Sequence, residues 1–201
     1  MSRRYHVLVV VGLLLLPAGV HAVSSTQPTG PKSPGWDLAL TPPGEPGAPF
    51  VIEGRVMGGD GSQPLRDVLV HVYHADARGD YSGPGESRPR LSGMLRTNVL
   101  GRFRVRTVLP GMAEGIPHIH FEIAGPGSDY RALTLTLCRR EGAGSDSTFA
   151  RLPQMLTLPT DGNWVYVHRD PHGVFVCRWD LPFSRAVRTR GRPQAFARPS
   201  R

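Results

Sequence analysis

This 201-residue sequence contains two histidines separated by one residue, a spacing that could hold a metal ion. His118 and His120 flank Ile119 in the segment GIPHIHFEI, where a proline precedes an apolar, strand-like run. Side chains two apart on a strand point to the same face, so both imidazoles would project together while Ile119 and Phe121 enter the core. The pair could offer two imidazoles to one metal ion, but taken alone the pattern fits a solvated strand face or a polar cap on the core at least as well.

The elements that would position these histidines are predicted to be strands. Alternating apolar and polar residues recur in about seven short segments, separated by Gly, Pro, Asp and Asn. In RDVLVHVYHAD, for example, the valines fall on one face, and His71 and Tyr73 fall on the other. No 3.6-residue period extends beyond two turns, and there is no internal repeat or phosphate-binding glycine loop. The sequence therefore predicts an all-β sandwich.

Four ordered motifs link the strands to a known family. Residues 73–81, YHADARGDY, form an aromatic-x-Ala-Asp-x-x-Gly-x-Tyr segment, TNVLGRF and TVLPG follow at 97–103 and 107–111, and HIHF occupies 118–121. In order, spacing and turn residues, positions 51–139 resemble the catalytic domain of the intradiol ring-cleavage dioxygenases, the catechol and protocatechuate type. Tyr73 stands where that family usually has tryptophan. The resemblance implies the intradiol dioxygenase type of β-sandwich.

The resemblance also implies a cofactor and a reaction. The family binds non-haem Fe(III) through two tyrosines and two histidines, and Tyr81, His118 and His120 match three of these four ligands. A hard ferric ion favours anionic oxygen ligands, with imidazoles completing the set. The implied partners are a catechol-type aromatic substrate and dioxygen, and the implied product has its ring opened between the two hydroxyl-bearing carbons.

The sequence departs from the family pattern beside these ligands. Ala113 stands where the second tyrosine belongs, Gly115 replaces an arginine that assists ring opening, and Thr136 roughly replaces a glutamine. The resemblance therefore assigns no catalytic residue beyond the ligands. Glu114 is a possible substitute ligand, and three protein ligands with water would also leave an open coordination position. Met112 is a poorer candidate, since a thioether suits copper better than ferric iron.

Other chemically active side chains have simpler interpretations. Tyr81 could be only a packed aromatic residue after a turn. His71 and His74 lie on opposite faces of one predicted strand, so at most one could join a site, and both are expected at the surface. His168 and His172 flank a turn and are expected to be solvated.

The N-terminus has the pattern of a secretory signal peptide covering residues 1–22. Arg3 and Arg4 precede a ten-residue apolar core from Val7 to Leu16, and small residues precede a cleavage point after Ala22. A membrane span needs about 20 apolar residues, so no transmembrane span is expected. The mature protein is predicted to be exported, either to a periplasm or to the extracellular space.

The rest of the chain divides into three parts. Residues 23–48 are a Pro/Gly-rich linker or wrapped arm, residues 49–183 the sandwich domain, and residues 184–201 a basic, disordered tail with six arginines and no acid. Between residues 23 and 183 the basic and acidic side chains are equal in number, so no specific nucleic-acid partner is expected. Cys138 and Cys177 fit either one disulfide or two buried thiols.

Three functions of different classes follow from the sequence. The first is an iron-dependent intradiol dioxygenase-like protein, with reduced or altered activity as one form of it. The second is a non-catalytic β-sandwich binding module that has lost part of the site, and the third is an exported copper- or zinc-binding protein that uses the histidine pair. Neither the substrate nor the oligomeric state is determined by the sequence.

Overall fold

Strands make up almost all the regular structure of the residues that the structure describes. The computed structural model describes residues 34–183 except 60, 114, 126–129, 142, 144–145 and 161–162. The predicted signal peptide, the arm as far as residue 33, Glu114 and the basic tail lie outside the described residues. The strands are β1 (Asp37–Ala39), β2 (Pro49–Gly58), β3 (Leu69–His74), β4 (Leu91–Arg96), β5 (Arg102–Val108), β6 (His118–Ala124), β7 (Tyr130–Arg140), β8 (Gln154–Met155), β9 (Trp164–Tyr166), β10 (His168–Arg169), β11 (Phe175–Arg178) and β12 (Leu181–Phe183), with one 3₁₀ turn at Phe149–Arg151.

The strands form two sheets. The first has the order β1-β5-β2-β11-β10 with β12 also paired to β2, and the second has the order β4-β3-β6-β7-β8 with β9 also paired to β7. The pairs β3–β4, β3–β6, β6–β7 and β2–β5 are antiparallel. Among the described residues there is no helix long and apolar enough to cross a membrane.

The apolar faces of the two sheets form the core. Phe50, Ile52 and Val105 come from the first sheet, Ile119 and Phe121 from the second, and all are fully buried. The rings of Phe103 and Phe121 meet across the interface with centroids 6.0 Å apart. The predicted all-β sandwich is therefore confirmed. Burying so many large side chains between two sheets is the main stabilising contribution to such a fold.

Strand β4 is the longest element without a predicted counterpart. Its sequence, LSGMLR, places Ser92 and Gly93 in the middle of the run, which weakens the alternation of apolar and polar residues. The structure nevertheless pairs it with β3, with Leu91 and Leu95 buried in the core. Pairing with a strongly alternating neighbour thus overrides a weak local pattern.

The end of the predicted arm is part of the sandwich. Strand β1 pairs in parallel with β5, and Leu40, which follows β1, is buried in the core. The backbone N–H of Leu40 donates to the carbonyl of Arg106 at 2.9 Å. The arm therefore wraps along the sheet from residue 37 onward, and the packed unit starts before Pro49.

Both cysteines are buried free thiols. Burial raises the pKa of Cys138 to about 11, and it also raises the pKa of Cys177. The Cys138 thiol donates to the carbonyl of Val165 at 3.2 Å. Of the two alternatives that the sequence left open, the structure has the pair of buried thiols.

Candidate metal centre

Tyr81 and two histidines of β6, which lie far from it in the sequence, meet at one point on the second sheet. The Tyr81 hydroxyl oxygen lies 2.8 Å from Nε2 of His118 and 2.9 Å from Nε2 of His120. The two imidazole rings are nearly perpendicular, at 88°. The structure therefore brings together all three residues that the resemblance assigned as ligands.

Strand β6 positions both histidines as the alternation predicted. Ile119 and Phe121 are fully buried in the core, so His118 and His120 project from the opposite face. His120 stands between Tyr73 on β3 and Thr134 on β7, and the Tyr73 ring stacks on its imidazole with centroids 4.7 Å apart. Stacking and cross-strand neighbours fix the direction of this ring.

The hydrogen bonds of His118 leave one nitrogen available for a metal. Its Nδ1 lies 2.7 Å from the carbonyl oxygen of Ile116, which can only accept, so Nδ1 carries the proton. The lone pair of the neutral ring is then on Nε2, which faces Tyr81 and His120. A backbone carbonyl bound to the other nitrogen is the usual way in which proteins orient a ligating histidine. Thr134 Oγ1, 3.2 Å from Nδ1 of His120, is the corresponding hydrogen-bond partner of that ring.

The loop that carries Tyr81 is built around Asp76. The carboxylate of Asp76 accepts from the backbone N–H of Arg78 at 2.8 Å and of Asp80 at 3.1 Å. The backbone carbonyl of Asp76 accepts from the N–H groups of Gly79 and Gly111 at 3.0 and 2.8 Å. A side chain is excluded at both glycines: Gly79 has a φ of 101°, and a Cβ on Gly111 would lie 2.5 Å from the nitrogen of Gly79. The Asp-x-x-Gly and Pro-Gly motifs are therefore two halves of one packed turn.

Arg90 closes this loop, and sequence reasoning did not identify it. Its guanidinium donates to both oxygens of Glu45 at 2.6 and 2.7 Å and to Asp76 at 3.2 Å, while its backbone N–H donates to the carbonyl of Tyr81 at 2.7 Å. The hydrogen bond from Arg90 holds the pKa of Glu45 below its usual value. Burial favours a higher pKa for Asp76, but the hydrogen bonds from backbone N–H groups and from Arg90 have a larger, opposite effect. The pKa of Asp76 is therefore below its usual value. No local pattern marks Arg90, because its partners lie far away in the sequence.

His74 is buried, so the prediction that it lies at the surface was wrong. Its side chain has no exposed area, since the strand turns it into the space between the sheets. Nδ1 donates to the carbonyl of Ala75 at 2.6 Å, and Nε2 accepts from the Thr107 hydroxyl at 2.7 Å. The prediction was right for the exposed His168 and His172. His71, one-quarter exposed, is partly buried.

We expect His74 to make the stability of the fold depend on pH. Burial lowers the pKa of His74 to about 4, compared with 6.5 for a free side chain. The unfolded chain therefore takes up this proton first as the pH falls. The stability that comes from keeping His74 neutral is fully present above pH 6.5. The free energy of unfolding should therefore fall by about 2 kcal/mol between pH 7 and pH 5, before most carboxylates titrate. Urea denaturation at the two pH values measures this change.

The matched variants for this experiment are His74→Gln and His172→Gln. His74→Gln should remove most of the change between pH 7 and pH 5, whereas His172→Gln alters an exposed histidine and should keep it. An equal pH dependence in the wild type and in His74→Gln would show that another group is responsible.

Two of the three positions that depart from the family pattern, Ala113 and Gly115, lie on the segment between β5 and β6, where Met112 also lies. Ala113 is 8% exposed, Gly115 has a φ of 87°, and Met112 is 57% exposed. Thr136 lies directly opposite His118 on β7. Glu114, the possible substitute ligand, is not among the described residues, so its assignment stays a prediction.

Within the described ranges, no group of three His, Cys, Asp or Glu side chains converges, so Tyr81 is needed as the third donor.

The three donors fit a hard metal ion. The Tyr81 oxygen lies 2.8 and 2.9 Å from the two Nε2 atoms, so all three donor atoms are close enough together to bind one ion. One phenolic oxygen and two imidazole nitrogens form a donor set suited to iron. Tyr81, His118 and His120 are therefore the residues that would hold it.

Comparison with known proteins supports the class that the fold and these residues indicate. Residues 37–117 match the family model described as Dioxygenase. Catechol 1,2-dioxygenase 2 of Acinetobacter lwoffii is 34% identical over 112 residues, which are 45% of this chain and 39% of that protein. The chain spans about two-fifths of the length of the first curated relatives that it matches.

Solved structures share the fold. The dioxygenase domain of a dioxygenase carbohydrate-binding protein fusion from Streptomyces sp. SirexAA-E is 25% identical, with a TM-score of 0.57 over 78% of this chain and 92% of that one. Catechol 1,2-dioxygenase from Acinetobacter sp. ADP1, at 20% identity, has a TM-score of 0.56 over 80% of this chain and 63% of that one. The sandwich is thus of the intradiol dioxygenase type. The family match, the curated relatives and the shared fold together support an intradiol ring-cleavage dioxygenase family member, with Ala113 where that pattern has its second tyrosine.

Proposed function

We propose that this protein is a non-haem Fe(III)-dependent intradiol dioxygenase that acts on a catechol-type aromatic and dioxygen. The single observation that carries the proposal is the convergence of Tyr81 with Nε2 of His118 and His120 within 2.9 Å. The curated relatives, which are named as catechol and chlorocatechol dioxygenases, support the substrate class. Bound Fe(III) would supply a Lewis acid that holds the two hydroxyl oxygens of a catechol and activates its ring toward dioxygen.

The protein's own residues give this site its character. Tyr81 would provide the anionic oxygen of the set once iron is bound, and the Asp76 and Arg90 hydrogen bonds fix the loop that carries it. His118 keeps its lone pair directed inward because Nδ1 is held by the Ile116 carbonyl. With three protein donors, more coordination positions are left for water and substrate oxygens than with four. The altered positions 113 and 115 are the reason to expect reduced or altered turnover.

The same departures favour a second candidate function. Ala113 and Gly115 replace the tyrosine and the arginine of the family pattern, which would suit a binding module that has kept the sandwich without the reaction. A third candidate, a copper- or zinc-binding protein, rests on the histidine pair. Export, predicted from residues 1–22, is compatible with each of these functions.

Metal content and dioxygen uptake distinguish the three candidates. Purified protein reconstituted with Fe(III) should hold about one iron per chain, and catechol should cause dioxygen uptake while its ultraviolet band is replaced by that of the ring-opened, conjugated diene dicarboxylate. Resorcinol is the matched control, because its hydroxyl groups are not adjacent and cannot chelate one ion. Iron without catechol turnover would favour the binding module, and copper or zinc in preference to iron would favour the third candidate.

A further inference from the structure

A second cluster of reactive side chains lies on the outer face of the β4-β3-β6 sheet. His71 Nε2 is 2.8 Å from Oγ of Ser92, and His71 Nδ1 is 3.0 Å from Oε2 of Glu122. Ser92 is exposed, whereas the side chains of His71 and Glu122 are each about one-quarter exposed. A serine, a histidine and a carboxylate are therefore joined in a line, and none of the three is a metal ligand.

The chemistry of the partners fixes the direction of both hydrogen bonds. A carboxylate only accepts, so Nδ1 of His71 carries the proton that it donates to Glu122. Nε2 of the neutral ring then has the lone pair, and the Ser92 hydroxyl donates to it. Glu122 is also hydrogen-bonded to the Tyr130 side chain, so the carboxylate is held from two sides. This is the proton arrangement that activates a serine nucleophile.

Strand register makes this arrangement rigid. His71 lies directly opposite both Glu122 on β6 and Met94 on β4, and Ser92 is diagonal to it, opposite Tyr73. Backbone N–H groups alternate in direction along β4, and that of Arg96 points away from β3 to the carbonyl of Gly35. The N–H of Ser92, four residues earlier, is therefore also directed away from β3. It is placed to donate to an oxygen that becomes negative beside Ser92.

We propose that Ser92, His71 and Glu122 form an acyl-transfer site that hydrolyses small esters. Ser92 Oγ attacks the ester carbonyl carbon while its proton moves to Nε2 of His71, and the proton then passes to the departing alkoxide as the carbon–oxygen bond breaks. Water, deprotonated by His71, next attacks the acyl carbon, and Ser92 leaves and regains its proton. The products are one carboxylic acid and one alcohol. Glu122 is a positioning residue for His71.

The surroundings of Ser92 define the substrate class. The serine lies on an open strand face, so an unhindered acyl group can reach it. Met94, the next residue on the same face of β4, is 42% exposed and offers an apolar contact for a short acyl chain. An uncharged ester with a short acyl group, of which 4-nitrophenyl acetate is the probe, fits this site.

Covalent labelling tests the proposal directly. Full-length protein treated with a fluorophosphonate should gain one phosphonyl group, and peptide mass spectrometry should locate it on Ser92. Ser92→Ala should abolish the labelling and the hydrolysis of 4-nitrophenyl acetate. His71→Gln should slow both by about 100-fold, the scale of general-base catalysis. Ser87→Ala, which alters another exposed serine, should label at the wild-type rate.

Glu122→Gln tests the positioning role separately, since glutamine can still accept a hydrogen bond from Tyr130. It should lower kcat for 4-nitrophenyl acetate by about tenfold with KM within about twofold, and the melting temperature should stay the same. Labelling spread evenly over Ser87 and Ser92, or a folded Ser92→Ala variant that hydrolyses the ester at the wild-type rate, would overturn the proposal. These measurements need no iron, so their failure would leave the dioxygenase proposal untouched.

Discussion

Tyr81→Phe is expected to lower the affinity of the protein for Fe(III) by at least about 100-fold, more than the loss usually caused by removing an outer-shell partner. In the proposed site Tyr81 would supply the anionic oxygen among the three described donors, and two neutral imidazoles would bind ferric iron poorly without it. The phenylalanine ring keeps the shape of the side chain, so the loss would be one of ligation. Competition with a chelator, followed by elemental analysis, measures the change.

The visible spectrum gives an independent measure of the same variant. Ferric iron bound to a tyrosinate absorbs visible light through ligand-to-metal charge transfer, so the wild-type protein should be burgundy and Tyr81→Phe colourless. Tyr73→Phe is the matched control, because its ring still stacks on His120 and Tyr73 is not one of the three donors. It should keep both the colour and the iron affinity. A coloured Tyr81→Phe protein with normal iron content would show that Tyr81 is not a ligand.

Arg90→Ala is expected to destabilise the fold by about 2–4 kcal/mol. The substitution leaves the carboxylates of Glu45 and Asp76, whose side chains are only 6% exposed, without their shared cation. The arginine itself is 37% exposed, which places the effect below that of a fully buried pair. Urea unfolding at pH 7 measures the difference, and Arg88→Ala is the control, because it removes an exposed arginine from the same loop.

Lowering the pH should reduce the difference in stability between the wild type and Arg90→Ala. The pKa values of Glu45 and Asp76 are lowered in the folded protein, so their contribution to stability is present above about pH 4 and is lost as the pH falls below it. The wild type should therefore approach Arg90→Ala in stability near pH 3. If Arg90→Ala and Arg88→Ala were equally stable at pH 7, the cluster would have no role in holding the Tyr81 loop.

The sequence determined the parts of this protein that depend on local periodicity. Alternation in β6 was enough to place His118 and His120 on one face and Ile119 and Phe121 in the core, because side chains on a strand repeat every two residues. The order of the motifs was enough to indicate the family. The Asp-x-x-Gly and Pro-Gly segments were also visible as turns, since glycine and proline restrict the backbone in known ways.

Only the tertiary structure decided which distant residues meet. Tyr81 reaches His118 and His120 across 37 and 39 residues of sequence, and Arg90 reaches Glu45 across 45. His74 was predicted to be exposed but is buried, because alternation gives the face of a strand on which a residue lies but not what covers that face. Ser92, on a strand that local pattern did not predict, lies beside His71 through the pairing of β3 with β4. Register and packing between strands are properties of the whole chain, so the contacts that they create are absent from any local pattern.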